Sequence, residues 1–154
     1  SSNTSKILGI IPYIDPKSFK NYNQSQKFKL NMKSDVYSVG VLLWQISSGH
    51  RPFENVDYDM TLFSNISKGC REKIINGTPM EYCNLYQECW KYKSKERPDM
   101  QKVVSVLDKI EKNMSLKSNG INTIERYRPN SELGETNTKD SDTFFKRFIR
   151  FNIQ

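Results

Sequence analysis

The chain has 154 residues, 36% of them hydrophobic, three cysteines and a formal net charge of +7. That length supports one modest core, with about 110 residues to build it once the polar ends are set aside. The positive excess is dispersed, with 16 Lys/Arg against 11 Asp/Glu in residues 1–110 and 8 against 6 in residues 111–154, so a solvated surface explains it better than a nucleic-acid patch or a membrane-binding face.

Residues 1–8 are polar and rich in hydroxyls, with Ser1, Ser2, Thr4 and Ser5 as possible phosphorylation sites. The segment is read either as a disordered end or as a regulated one, in which phosphates would pair with basic groups and order the chain. In Gly9-Ile10-Ile11-Pro12-Tyr13-Ile14-Asp15-Pro16-Lys17 the two prolines block regular helix and impose an extended, turning path. Residues 21–33 form a polar connection with Phe28 and Leu30 as apolar anchors.

Residues 33–46 then read as a helix apolar almost all the way round, which places it inside a core. It opens on Ser34 and Asp35. Asp35 either caps the helix start, where a carboxylate suits the dipole, or fixes a neighbouring loop that supplies donors to it. Arg51-Pro52-Phe53 ends the helix in a loop, where the lone His50 is expected to be solvent-exposed rather than catalytic. Residues 58–68 carry Met60, Phe63 and Ile66 at helical spacing with Leu62 adding to the face, and residues 69–79 form a loop.

Tyr82, Leu85, Tyr86 and Cys89 share one helical face, and Met100, Val103, Val104, Leu107 and Ile110 share another after Pro98. These stripes are core rather than a cofactor site. The sequence divides into a main unit at 1–110, a flexible polar linker at 111–143 and an aromatic and basic segment at 144–154, where Phe144, Phe145, Phe148 and Phe151 alternate with Lys146, Arg147 and Arg150. That last segment either frays or docks locally, or rests on a membrane or a partner.

Cys70, Cys83 and Cys89 are odd in number and lack metal-site spacing, and residues 1–13 carry no charged-then-apolar leader. Reduced thiols in an intracellular, cytoplasmic setting are expected. The longest apolar run, residues 36–46, is interrupted by Ser38 and Gln45 and falls short of the roughly 20 residues that cross a bilayer. No transmembrane segment is expected.

Four motifs in order resemble the C-terminal half of a eukaryotic protein kinase domain. Residues 9–17 are similar to G-T-x-x-Y-x-(A/D)-P-E at the end of the activation segment, and residues 34–46 to S-D-V-Y-S-x-G-V-x-L-W-E-(I/M). Gly49-His50-Arg51-Pro52-Phe53 is similar to G-x-x-P-F, and Cys89 to Pro98 to C-W-x-x-x-P-x-x-R-P between the last two helices. The wording Tyr-Ile-Asp-Pro with the Cys-Trp pair looks most like the tyrosine-kinase-like branch.

The resemblance implies a mainly α-helical fold, the helical lobe of a kinase from mid-activation segment to last helix. It implies ATP-dependent phosphorylation of protein hydroxyls, on serine/threonine or tyrosine, with ATP and magnesium as cofactors of a complete parent. It assigns Gly9, Ile10, Pro12 and Tyr13 to the substrate loop, and Asp15, Pro16, Asp35, Leu42, Ile46, Trp90 and Arg97 to the scaffold. In it, Asp35 would bond the backbone of the catalytic loop while Leu42 and Ile46 support the cofactor-side apolar column.

No Gly-rich loop with a Val-Ala-Ile-Lys-like strand, no His-Arg-Asp loop and no Asp-Phe-Gly occurs in these 154 residues, so this chain by itself is expected to be inactive, with no catalytic, cofactor or metal residues of its own. Two residues depart from the pattern. Ile10 replaces the usual Thr, and Lys17 replaces a Glu that in the family pairs with the Arg at position 97. Two like charges cannot make that pair, so either Asp15, Glu96 or Asp99 substitutes or the lobe is looser.

The competing reading is a pseudokinase-like module that binds a protein partner without catalysis; a basic nucleic-acid binder is a weaker third, and no nucleic acid is expected. A protein substrate or regulatory protein is the expected partner. A lobe without its other half would expose apolar surface and self-associate.

Overall fold

The computed structural model describes residues 10–18 and 32–125. In chain order these hold a 3-10 turn at Ile11–Tyr13, then α1 (Met32–Ser48), α2 (Met60–Ser67), α3 (Met80–Cys89), a second 3-10 turn at Ser94–Glu96 and α4 (Met100–Glu125). There is no strand among the described residues. Gly9 and the hydroxyl residues Ser1, Ser2, Thr4 and Ser5 lie outside them, as do the connection at 21–31 and the aromatic and basic end.

Valines and isoleucine at positions 36, 39, 41 and 46 give α1 little intrinsic helix preference, so packing must hold it. Val36, Tyr37, Val41, Leu43 and Trp44 are buried against Tyr82, Cys83, Leu85, Tyr86 and Cys89 of α3, with Trp90, Val103 and Ile110 completing the cluster. Each large aliphatic side chain so removed from water contributes about 1.5–3 kcal/mol. Gly40 lets the two helices approach: a Cβ there would lie 2.7 Å from Cys89 Cβ and 3.0 Å from the Tyr86 carbonyl oxygen. Where α1 ends, Gly49 takes φ +71° and its amide donates to the Gln45 carbonyl, the usual left-handed stop.

α1 lies inside the core on most sides but is open on one, in line with the apolar exposure expected of a lobe without its other half: Asp35 and Leu42 are exposed while Val39 and Ile46 are only partly buried. Positions 35, 39, 42 and 46 recur at alternating steps of four and three, so they form one stripe along the helix. Composition reported that the stripe is apolar, but not whether anything covers it.

α2 starts at Asp59, whose carboxylate accepts from the Thr61 and Leu62 amides at 2.9 and 3.0 Å. It buries Leu62, Phe63 and Ile66 against Ile11, with Phe53 and Tyr58 at the margin. Met60, assigned to that face by spacing, is instead exposed at the first position of the helix. Similarly Val103 and Ile110 of α4 are buried, whereas Met100 and Val104 are exposed. The buried line of α4 runs through 103, 107, 110 and 114, and Met114 packs on the main cluster. This extra apolar step helps to carry the helix past Ile110 to Glu125, where the sequence suggested a flexible linker.

Candidate substrate-side site

The turn at Ile11–Tyr13 closes through hydrogen bonds from the Tyr13 amide to the Ile10 carbonyl (3.0 Å) and from the Ile14 amide to the Ile11 carbonyl (3.2 Å). Pro12 sits at the start of the turn, where its missing N–H costs nothing. The turn is fastened to α1 at two points. Ser38 Oγ donates to the Tyr13 carbonyl at 2.7 Å, and Tyr13 Oη donates to Gln45 Oε1 at 2.6 Å. Ser38 and Gln45 are seven residues apart, so α1 presents both on the same side two turns apart.

Of the residues assigned to the substrate loop, Ile10 is half exposed, Tyr13 is half-buried and Pro12 is fully enclosed. Ile10 is therefore the one whose side chain offers a surface to a ligand. Pro12 and Ile11 anchor the turn from beneath. Burial raises the Tyr13 phenol above its ordinary value, partly opposed by the charge of Arg51.

Beyond the turn, Asp15 meets Arg97 in a side-by-side pair, Nη1 to Oδ2 at 2.6 Å and Nη2 to Oδ1 at 3.1 Å. The pair is dry, with side chains 0% and 3% exposed. Asp15 is thus the acid that faces Arg97, two residues before the Lys17 that stands in the usual acidic position. Glu96 instead pairs with Lys93, and Asp99 caps α4 by accepting from the Lys102 amide at 2.7 Å.

A buried guanidinium needs its remaining donors satisfied. Nε donates to the Lys91 carbonyl at 2.7 Å, Nη1 also to the Lys33 carbonyl at 2.8 Å and Nη2 also to the Tyr92 carbonyl at 3.3 Å. With the two bonds to Asp15, all five N–H groups are used. Asp15 is equally well served, its Oδ1 accepting from the Lys17 amide at 3.0 Å and its Oδ2 from Ser34 Oγ at 3.1 Å. Burial pushes the Asp15 carboxyl up, but the Arg97 hydrogen bonds, the Lys17 amide, the Arg97 charge and the Ser34 hydroxyl outweigh it and hold the group below the ordinary carboxylate range.

Two cations lie over the ring of Tyr37, with Arg97 5.1 Å and Arg71 5.3 Å from its centroid. Burial lifts the Tyr37 phenol to about 12, against the lowering charges of Arg71 and Arg97. Arg71 also donates to the carbonyls of Trp90, Ile66 and Cys70, tying the loop after α2 to the end of α3. Sequence reasoning singled out neither Arg71, Ser38, Gln45 nor Tyr37. Their partners are mostly main-chain carbonyls, which leave no complementary residue to search for.

Trp90 is buried against Tyr86, with ring centroids 4.9 Å apart, and Pro16 is buried beside Asp15. His50 is exposed and pairs with Glu54. Among the described residues no group of three or more His, Cys, Asp or Glu is placed to hold a metal, and no helix is long and apolar enough to cross a membrane. What the site can do is present a fixed, shallow surface at Ile10 and Tyr13, held from behind by Ser38, Gln45 and the Asp15–Arg97 pair.

The family model for protein tyrosine and serine/threonine kinases matches residues 9–107, more than half of the chain. Among curated proteins, a probable LIM domain-containing serine/threonine-protein kinase of Dictyostelium discoideum is 32% identical over 112 residues, 73% of this chain and 11% of that protein. Mitogen-activated protein kinase kinase kinase 7 of Drosophila melanogaster is 33% identical over 84 residues, 54% of this chain and 12% of its own length. Ephrin type-A receptor 7 of Gallus gallus is 31% identical over 117 residues, 75% and 12% respectively. The chain therefore spans about an eighth or less of these relatives.

Proposed function

Because the chain belongs to the protein tyrosine and serine/threonine kinase family, we propose that it is the substrate-side, helical part of a protein kinase, working in ATP-dependent phosphorylation of protein hydroxyls. The observation that carries this reading is the exposed stripe of α1. A helix whose other faces are packed leaves Asp35, Val39, Leu42 and Ile46 on an open side, in the place where the family resemblance puts the catalytic loop and the apolar column beneath the cofactor.

In this reading α1 works in two directions. Toward the open stripe it supports the catalytic loop, with Asp35 as acceptor for that loop's backbone. On the face flanking that stripe, roughly a quarter-turn round the helix, it fixes the substrate loop through Ser38 and Gln45, so that Ile10 contacts the residue next to the acceptor hydroxyl. Positioning of this kind lowers the barrier by holding the hydroxyl in line with the transferred phosphoryl group. ATP and magnesium supply the phosphoryl group and its charge neutralisation; the described residues do not form a site that fits either, and no step is assigned to them.

The departure at Lys17 no longer argues for a non-catalytic module, since Asp15 supplies the carboxylate to Arg97. Ile10 still favours that alternative, because an isoleucine cannot make the hydroxyl contact of the usual Thr. The deciding experiment is to sequence the transcript upstream of Ser1 and assay the protein it encodes. In-frame Asp-Phe-Gly, His-Arg-Asp and Val-Ala-Ile-Lys-like motifs, with transfer of labelled phosphate from ATP to a protein substrate, are expected. A folded full-length product that transfers none leaves the binding module as the function.

A further inference from the structure

Around the buried Arg97 the chain gathers lysines from two distant segments. Lys17 reaches over the ring of Tyr92, its Nζ 5.0 Å from the centroid, and Lys33 Nζ donates to the Arg97 carbonyl at 2.7 Å. Lys91, Lys93 and Lys95 follow on the loop whose carbonyls hold the guanidinium. Lys17, Lys93 and Lys95 are exposed, and Lys33 and Lys91 half-buried.

Of the acids nearby among the described residues, Asp99 caps α4 and the others leave two lysines of this rim without an ion pair. Asp15 is enclosed and balanced by Arg97. Glu88 and Glu96 pair with Lys91 and Lys93, but these are exposed pairs three residues apart, worth about 0–1 kcal/mol and easily exchanged for a better anion. Among the described residues no carboxylate pairs with Lys17 or Lys95. With the ion-pair acid at position 15 and a lysine at position 17, the negative charge is buried and a cation stands at the surface.

We propose that this lysine rim is a docking surface for an acidic, phosphorylated segment of a protein partner. The exposed cations are lysines, which bind phosphate and carboxylate as mobile point charges on flexible stems. Lys17 lies over the half-buried Tyr92 ring, which holds its stem while its charge stays at the surface, and Lys93 and Lys95 follow on the same loop, so the surface offers a short extended peptide several positive charges. The surface lies outside the site that fixes Ile10 and Tyr13, so it needs no catalysis by this chain.

The test uses the whole 154-residue chain and a fluorescein-labelled peptide of alternating glutamate and phosphoserine, followed by anisotropy. Binding that weakens at least tenfold in the K17E/K95E variant, while its thermal unfolding stays within a few degrees of the parent, is expected. A variant with Lys146, Arg147 and Arg150 changed to Ser should bind like the parent. The proposal is overturned if K17E/K95E binds as before, if only the tail variant loses binding, if affinity does not fall between 50 and 300 mM salt, about the range over which exposed charges become screened, or if a 12-nucleotide RNA binds the rim more tightly than the peptide.

Discussion

Replacing Asp15 by Asn tests the packing argument most directly, because it removes one charge from a pair whose side chains are 0% and 3% exposed. The amide keeps the shape but turns one acceptor into a donor facing the N–H groups of Arg97. Deleting one partner of a buried pair costs about 3–5 kcal/mol, because the other charge stays desolvated and unpaired. Against a total of about 5–15 kcal/mol for a domain, that is a large fraction. Trp44 and Trp90 are both buried in the main cluster, so their fluorescence reports unfolding. With a urea slope of about 2 kcal/mol per molar, the midpoint should fall by about 1.5–2.5 M.

Lys17→Glu gives the second arm. Alone it should change stability by less than about 0.5 kcal/mol, since Arg97 has no donor left to offer; in the Asp15→Asn background it should restore part of the loss by pairing with Arg97 from the next position available. A midpoint shift below about 0.5 M for Asp15→Asn, the size expected of an exposed pair, would refute the reasoning. So would equal effects of Lys17→Glu in both backgrounds. The pH dependence carries a sign as well. The folded Asp15 value is lowered, so its contribution is complete above the ordinary carboxylate value of about 3.9 and is lost as pH falls through the lower folded value. The gap between parent and Asp15→Asn should close in acid and stay constant from pH 5 to 8.

Gly40→Ala should destabilise the lobe by about 1–3 kcal/mol despite the better helix propensity of alanine, because the new Cβ meets Cys89 Cβ at 2.7 Å; urea titration measures it, and a gain in stability would contradict the crossing described. Tyr13→Phe removes the bond to Gln45 and should cost about 0.5–1.5 kcal/mol, read the same way. Leu42→Glu, on the open stripe of α1, should leave the unfolding midpoint of this chain nearly unchanged yet abolish phosphate transfer by the complete parent protein. Cys89 is buried with its thiol pushed up to about 12, mainly by burial, whereas Cys70 is exposed; iodoacetamide at pH 8 should label Cys70 first and Cys89 only on unfolding, as mass spectrometry of the peptides shows.

A nearly continuous apolar run located α1, and helical spacing located α2 to α4 and most of their buried positions, because each helix must hide apolar surface. That spacing misjudged Met60, Met100 and Val104, which are apolar at helical spacing but sit where no neighbour reaches them. The displaced acid was legible only as a choice of three. Asp15, Glu96 and Asp99 all lie near one of the two cations in sequence, and folding decides by giving Glu96 a lysine and Asp99 a helix cap. Arg71 was invisible for a different reason: its acceptors are backbone carbonyls, which every residue carries. The family resemblance, by contrast, rested on side chains at fixed spacing, and the match over residues 9–107 covers the same four motifs.

Asp15 and Arg97 are separated by 82 positions, and that separation becomes a delay when the protein is made. At a synthesis rate of about 5–20 residues per second, roughly 4–16 s pass between the emergence of one partner and the other. During that interval the turn at Ile11–Tyr13 has been made, but neither the guanidinium nor most of the α3 and α4 residues that hold α1 in place. The turn that carries Asp15 is therefore made well before it can be locked, which gives a nascent-chain binder a defined window in which Asp15 is still a free carboxylate.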